Sequence, residues 1–125
     1  MANAVANDKF GIGYNNVGYA YDAKTKKPNP GIGIIPIDIN GNGKLDPEEN
    51  FYSTSDKLNM AILADIYPSP PARQLYFVSN GKITDPVVVA FVKWALTDGQ
   101  KYVAEAGYVE LPTDVLNQQV AKLTK

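Results

Sequence analysis

The sequence contains no cysteine and no histidine. The absence of cysteine excludes a disulfide scaffold, a thiolate nucleophile and a zinc–sulfur site. The absence of histidine removes the usual general base near neutral pH and the usual transition-metal ligand. The chemistry that is left uses carboxylates, lysines, oxygen ligands for hard metal ions, or binding without catalysis.

The sequence also has little net charge and no long apolar run. Its 12 basic and 13 acidic side chains give a formal charge of −1, which provides no general attraction to nucleic acid or anionic lipid. No stretch approaches the roughly 20 apolar residues of a membrane-spanning helix. Residues 1–10 lack the apolar run of a secretory signal. We therefore expect no nucleic-acid partner and no membrane span.

The length of 125 residues and the residue patterns predict one domain, 1–125, of mixed α/β class. Short strands are expected first, followed by packed helices. Residues 17–21 are a strand candidate because Val17, Tyr19 and Tyr21 alternate with small residues. The other strand candidates are residues 11–14, 32–39 and 74–78.

Helices are predicted where capping residues precede apolar residues at helical spacing. The tail of a helix is expected at residues 2–7, and a longer helix at residues 55–67, with Ser55 as its cap. Asp85 followed by proline is a typical helix start, and Gly99 has the position of a C′ residue that ends this helix. A short helix is expected at residues 100–106, and Thr113 begins the last helix.

The most specific local motif is DINGNGKLDPEE at residues 38–49, which fits the calcium-loop pattern D-x-[DN]-x-[DN]-G-x₅-E at every specified position. Calcium takes 6–8 oxygen ligands at about 2.3–2.6 Å, and such a loop can wrap one ion. Gly43 at position six permits the sharp turn. The predicted Ca²⁺ ligands are Asp38, Asn40, Asn42, the carbonyl of Lys44, Asp46 directly or through water, and Glu49 through both carboxylate oxygens.

The alternative interpretation of residues 38–49 is a glycine-rich hairpin turn, because Asn-Gly pairs favour such turns. A turn, however, does not require carboxylates at positions one, nine and twelve. The residues before Asp38 read as a strand, whereas a true EF-hand has an entering helix, and there is only one loop. The pattern is therefore typical of a structural, EF-hand-like calcium site and not of a sensor.

The sequence offers little support for an enzyme. No nucleophile lies in a recognisable elbow or triad setting. The acidic residues best placed to act as a pair are already assigned to the calcium loop. We predict a chain without catalytic residues.

Three stretches from Phe51 onward resemble the C-terminal part of bacterial phosphate-binding proteins, the solute receptors of phosphate ABC importers. Residues 67–78, YPSPPARQLYFV, are similar to the family's crossing strand with YP, then R-x-LY. Asp85-Pro86 together with residues 91–103, FVKWALTDGQKYV, resembles the family's DP…V..F..W.L…GQ..V helix pair. Residues 106–112, AGYVELP, resemble AGYVPLP, with Glu110 where proline is common. Upstream, residues 4–14 resemble an AV…GIGY passage.

This resemblance implies a periplasmic-binding-protein type II architecture, in which two α/β lobes close over a ligand. It also implies a periplasmic or cell-surface location and an ABC permease as partner. One departure is important: the family's arginine preceding a Ser-Gly-Thr turn does not occur here, and Arg73 is the only arginine. No phosphate-binding residue is therefore assigned, and phosphate is expected to bind only when the missing N-terminal part is present.

Two functional hypotheses follow. The first is a C-terminal portion of a phosphate receptor that lacks most ligand contacts and is stabilised by one calcium ion. The alternative is a stand-alone calcium-binding structural or interaction module that binds no phosphate.

Overall fold

The computed structural model describes residues 1–123, and its regular structure is helical. The α-helices in this range are α1 (Ala2–Ala6), α2 (Val17–Ala20), α3 (Ser55–Leu63), α4 (Pro86–Ala95) and α5 (Thr113–Leu123). Pro47–Glu49 and Asp98–Tyr102 are 3₁₀ helices. None of the helices in residues 1–123 has the length and apolar character needed to cross a membrane. The chain divides into two compact units, the first at Met1–Arg73 and the second from Gln74 onward.

The prediction of a mixed α/β fold is wrong, because residues 1–123 contain no sheet. Residues 11–14, 32–39 and 74–78, which were expected to be strands, form no ladder with a neighbour. Within the described chain, β pairing is limited to an isolated antiparallel bridge between Tyr21 and Pro28. A strand forms its backbone hydrogen bonds with a neighbouring strand. Without such a neighbour, a segment with an alternating apolar pattern stays irregular. These residues consequently do not form the sheet-based architecture of a type II periplasmic binding protein.

The strand predicted at residues 17–21 is instead the single helical turn α2. The side chain of Asn16 accepts a hydrogen bond from the backbone nitrogen of Gly18 at 2.8 Å. The Tyr21 nitrogen donates to the Val17 carbonyl at 3.1 Å and completes the turn. Where no partner strand is available, this local N-cap outweighs the alternation of apolar residues.

Helix α3 has different ends from those predicted. Its cap is Thr54, one residue before the expected Ser55. It ends at Leu63 and not at residue 67, because Asp65 adopts a left-handed conformation with φ of 54°. The nitrogen of Ile66 then donates to the Ala61 carbonyl at 2.9 Å. This six-to-one bond is typical of a Schellman motif, with aspartate where glycine is usual.

The predicted start of helix α4 is confirmed. The Asp85 carboxylate accepts hydrogen bonds from the backbone nitrogens of Val87 and Val88 at 2.8 and 3.3 Å. The prediction for Gly99 as the C′ residue is wrong, since the helix ends at Ala95 and Gly99 lies within the second 3₁₀ helix. A Cβ atom at Gly99 would approach the Trp94 carbonyl to 3.0 Å, so this glycine permits close packing.

The last two helical segments follow the sequence patterns to different degrees. The short helix expected at residues 100–106 is instead the 3₁₀ helix Asp98–Tyr102, which begins two residues earlier and ends four residues earlier. Helix α5 begins at Thr113 as predicted, and its expected apolar side is half-buried at Leu116, Val120 and Leu123.

The core of the first unit is a cluster of aromatic and small apolar side chains. Its buried members are Tyr21, Phe51, Tyr52, Leu58 and Ala61. The rings of Phe51 and Tyr52 have their centroids 4.7 Å apart. Because Phe51 and Tyr52 follow residues 38–49 almost directly, the chain leaves the predicted calcium loop into this core.

The second unit carries a row of aromatic side chains. Phe77 contacts Phe91 edge to face with centroids 6.4 Å apart, and Phe91 stacks on Trp94 at 6.3 Å. Tyr102 continues the row at 6.2 Å from Trp94. Each of these four side chains is between 46% and 60% exposed, so the row is only partly covered.

Candidate metal centre

Residues 38–49, named loop 38–49 below, form a compact turn that ends in the 3₁₀ helix Pro47–Glu49. Gly41 and Gly43 have φ of 73° and 77°, a conformation that side chains rarely adopt. No atom lies within 4 Å of a Cβ built at either glycine. Backbone conformation, and not close packing, therefore requires glycine here, and the predicted sharp turn at Gly43 is confirmed.

The first predicted ligand, Asp38, organises the front of the loop. Its Oδ1 accepts hydrogen bonds from the backbone nitrogens of Gly41 and Asn42 at 2.7 and 3.1 Å. Its Oδ2 accepts one from the Gly43 nitrogen at 2.6 Å. These bonds, that from Gly43 foremost, hold the pKa of Asp38 below its usual value of 3.8. The carboxylate is thus kept ionised and aimed at the loop interior.

The middle of the loop brings three predicted ligands to one point. The side-chain amides of Asn40 and Asn42 both donate to Oδ2 of Asp46, at 2.8 and 2.6 Å. Their own oxygens accept from the backbone nitrogens of Asn42 and Lys44 at 3.0 and 2.8 Å. A carboxamide that rotates about its terminal bond presents oxygen in place of nitrogen. The same three side chains can therefore offer an all-oxygen surface to a hard cation.

The last predicted ligand, Glu49, closes the loop from its other end. Only 3% of Glu49 is exposed. Its Oε1 accepts hydrogen bonds from the nitrogens of Ile39 and Asn40 at 3.0 and 3.1 Å, and its Oε2 accepts one from Asp46 at 3.2 Å. A buried carboxylate requires such donors or a cation. The position-twelve side chain is therefore already turned toward the start of the loop.

The donor set fits calcium better than a softer metal. It comprises the carboxylates of Asp38, Asp46 and Glu49, two carboxamides, and the backbone at Lys44, where the sequence predicts a carbonyl ligand. Within residues 1–123, no three His, Cys, Asp or Glu side chains are grouped closely enough to hold a metal by themselves. A cation in this loop would therefore depend on the asparagine oxygens as well as on the carboxylates.

The structure also shows contacts of the residues that flank loop 38–49, and the spacing of the motif does not predict these contacts. The backbone nitrogen of Ile37 donates to the hydroxyl oxygen of Tyr52 at 3.0 Å. The Tyr52 carbonyl in turn accepts from the hydroxyl of Tyr21 at 2.9 Å. The Tyr21 bond joins residues 31 positions apart. The sequence signal for these partners is limited to the aromatic character of residues 51–52.

Other features of the chain lie outside loop 38–49. A cavity of about 410 Å³ is lined by Met1, Ala2, Asn3, Asn15 and Tyr19. Another of about 430 Å³ lies in the second unit and is lined by residues between 77 and 92, among them Lys82. Arg73 is exposed. Neither cavity includes a predicted calcium ligand or Arg73.

Comparison of the chain with protein-family models, with curated proteins and with solved structures gives no match.

Proposed function

We propose that this chain is the C-terminal portion of a phosphate-binding solute receptor of an ABC importer, in which loop 38–49 binds one calcium ion that stabilises the fold. The proposed role is binding without catalysis, at the periplasmic or outer face of the cell. In this proposal the chain itself supplies few contacts to phosphate, and phosphate binding requires the N-terminal part of the receptor.

The calcium part of the proposal is supported chiefly by the arrangement of loop 38–49. The carboxylate of Asp46 receives both asparagine amides, and the buried carboxylate of Glu49 is bonded to the first turn of the loop. These contacts bring the side chains at motif positions three, five and nine together and bond the side chain at position twelve to the backbone of the loop. The Glu49 carboxylate also accepts from the Asp46 nitrogen in the capping box of the 3₁₀ helix, so the support for calcium comes from its position in the motif together with the Asp46 cluster.

The receptor part of the proposal is supported by the stretches whose sequence resembles the family. In one of them, two residues have identifiable roles in the structure. Asp85 caps α4 in the stretch that resembles the family's DP motif. In the same stretch, Gly99 permits close packing against Trp94. Asp85 and Gly99 thus have local roles in helix capping and packing at positions where the sequence resembles the family.

The alternative is a stand-alone calcium-binding module, and two observations favour it. The sequence has no Ser-Gly-Thr turn preceded by arginine, and residues 1–123 form no sheet. The genomic sequence before the Met1 codon separates the two functions. We expect an in-frame extension that encodes Ser-Gly-Thr; an in-frame stop codon directly upstream would support the module instead.

Calorimetric titration with CaCl₂ tests the calcium site, together with thermal unfolding in calcium and in EDTA. At a hundredfold excess over Kd, a ligand that binds only the native state stabilises it by about 2.7 kcal/mol. For a unit of this size, we expect Tm to rise by about 10–20 °C. The variant Glu49→Gln should bind calcium at least about tenfold more weakly, because it loses the bidentate carboxylate.

The matched control is Glu48→Gln, which removes the same charge from an exposed neighbour. It should bind calcium like the unaltered chain. Equal calcium affinity in Glu49→Gln and the unaltered chain would exclude the proposed site. Titration with inorganic phosphate should give no binding at micromolar concentration, and micromolar binding would contradict the proposed absence of most phosphate contacts.

A further inference from the structure

The peptide just before the first calcium ligand is held by a side chain of the core. Ile37 is half-buried, and its backbone nitrogen donates to the Tyr52 hydroxyl oxygen at 3.0 Å. The preceding residue is Pro36, which has no backbone N–H to offer. The bond from Ile37 therefore fixes the chain immediately before Asp38.

Tyr52 is itself firmly placed. Its side chain is 8% exposed, and its ring contacts Phe51 and Tyr67 with centroids 4.7 and 6.4 Å away. Its backbone carbonyl accepts the hydroxyl proton of Tyr21 at 2.9 Å. Because both its ring and its carbonyl are held, the Tyr52 hydroxyl is a fixed point for the chain that bonds to it.

Both ends of loop 38–49 thus meet at one residue. Tyr52 lies three positions after Glu49, so the exit of the loop reaches it through the chain. The entrance of the loop reaches the same residue through the Ile37 hydrogen bond. Together with the bonds from the Ile39 and Asn40 nitrogens to Glu49, the Tyr52 bond therefore limits the distance between the first and last ligands.

We propose that Tyr52 is a positioning residue for calcium, whose hydroxyl holds the entrance of loop 38–49 at the separation from Glu49 that the bound ion requires. This inference rests on the proposed calcium site. The physical reason is preorganisation: a loop whose ends are already held loses less conformational entropy when it binds. Removal of the hydroxyl leaves the ligands unchanged and raises this entropic cost.

The test compares calcium affinity in Tyr52→Phe and Tyr67→Phe, measured by calorimetry on the full chain at a temperature where circular dichroism shows each variant folded. Tyr52→Phe should bind calcium about fivefold more weakly, as expected for one hydrogen bond. Tyr67→Phe removes a hydroxyl from the same aromatic cluster but leaves the Ile37 bond. Its affinity should stay within about twofold of the unaltered chain.

A second measurement needs no variant. If the Ile37 hydrogen bond strengthens calcium binding, then bound calcium must strengthen the Ile37 hydrogen bond by the same free energy. Amide hydrogen exchange followed by NMR should therefore show that saturating calcium slows exchange of the Ile37 amide more than exchange of the Leu58 amide in helix α3, which bonds to the Thr54 carbonyl. A purely structural role of Tyr52 predicts that both amides slow by no more than the general stabilisation that calcium gives.

The outcomes distinguish the two proposals. If the unaltered chain does not bind calcium, the proposed calcium site fails and this inference fails with it. If calcium binds but Tyr52→Phe keeps the full affinity, only the positioning role is overturned. An equal loss in both tyrosine variants, or an Ile37 amide that calcium slows no more than the Leu58 amide, also overturns the positioning role.

Discussion

At the scale of single residues, hydroxyl groups join the predicted calcium loop to the core. Tyr21 is 4% exposed and donates to the Tyr52 carbonyl, while the Tyr52 hydroxyl accepts from Ile37. Burial, together with the nearby Tyr52 and Tyr67 hydroxyls, raises the pKa of Tyr21 from 10.0 to about 12. The folded state therefore favours the protonated phenol at this position.

The raised pKa of Tyr21 predicts a loss of stability at alkaline pH. The unfolded chain releases this proton from about pH 10, whereas the folded chain keeps it until about pH 12. The unfolded state therefore binds fewer protons in that interval, and the free energy of unfolding falls as pH rises from 10 to 12. Urea unfolding at a series of pH values measures this slope.

Tyr21→Phe should unfold more easily at pH 8, by about 1 kcal/mol for the lost hydrogen bond. It should also show a shallower fall between pH 10 and 12. The control is Tyr19→Phe, which alters a side chain that is 66% exposed and should keep the original slope. An unchanged slope in Tyr21→Phe would mean that another group governs alkaline unfolding.

At the scale of elements, side-chain caps stand at the starts of α2, α3 and α4. Asn16, Thr54 and Asp85 each accept a hydrogen bond from a backbone nitrogen in the first turn. Four N–H groups at a helix start have no partner within the helix, so a capping oxygen stabilises it. These helices are short and bury few side chains, so each capping hydrogen bond is a large part of what stabilises them.

The cap of α4 gives a direct test. Asp85→Ala should lower the free energy of unfolding by about 1 kcal/mol, whereas Asp85→Asn keeps a capping oxygen and should lose only a fraction of this. The fluorescence of Trp94, the single tryptophan, reports on this helix during urea unfolding. Similar losses in the two variants would show that the charge of Asp85, and not its capping bond, stabilises α4.

At the scale of the whole molecule, much apolar surface remains uncovered. Leu75, Tyr76, Phe77 and Val78 are 60–92% exposed, and Phe77 leads into the aromatic row of the second unit. Unpaired apolar segments of this kind bind apolar dyes and promote association.

We expect the native chain to bind the dye ANS, with enhanced fluorescence in the absence of denaturant. Phe77→Ser should reduce the enhancement by about half or more, because it interrupts the aromatic row next to Phe91. Met60→Ser is the control, since Met60 on α3 is 68% exposed and lies outside the aromatic row. Equal dye binding in all three proteins would place the dye elsewhere.

The helix starts at Asp85 and Thr113, the helical tail at residues 2–7 and the glycine turn at Gly43 are readable from sequence. Each depends on bonds between residues within a few positions of one another, or on the φ that one residue permits. The ligand spacing of loop 38–49 is readable for the same reason. All the groups that determine these features lie within the same short segment, so the sequence of that segment is enough to predict them.

Tertiary structure decided the remainder. Residues 32–39 and 74–78 have apolar patterns suited to strands, but strand pairing depends on a second segment, and none is supplied within residues 1–123. The buried Glu49 carboxylate bonds to the nitrogen of Ile39, ten positions away. The bond from Ile37 to Tyr52 joins residues 15 positions apart. The sequence by itself determined the cap at Asp85 and the glycine turn at Gly43, because these are local. Which partners hold Glu49 and Ile37 depends on long-range contacts that no spacing rule encodes.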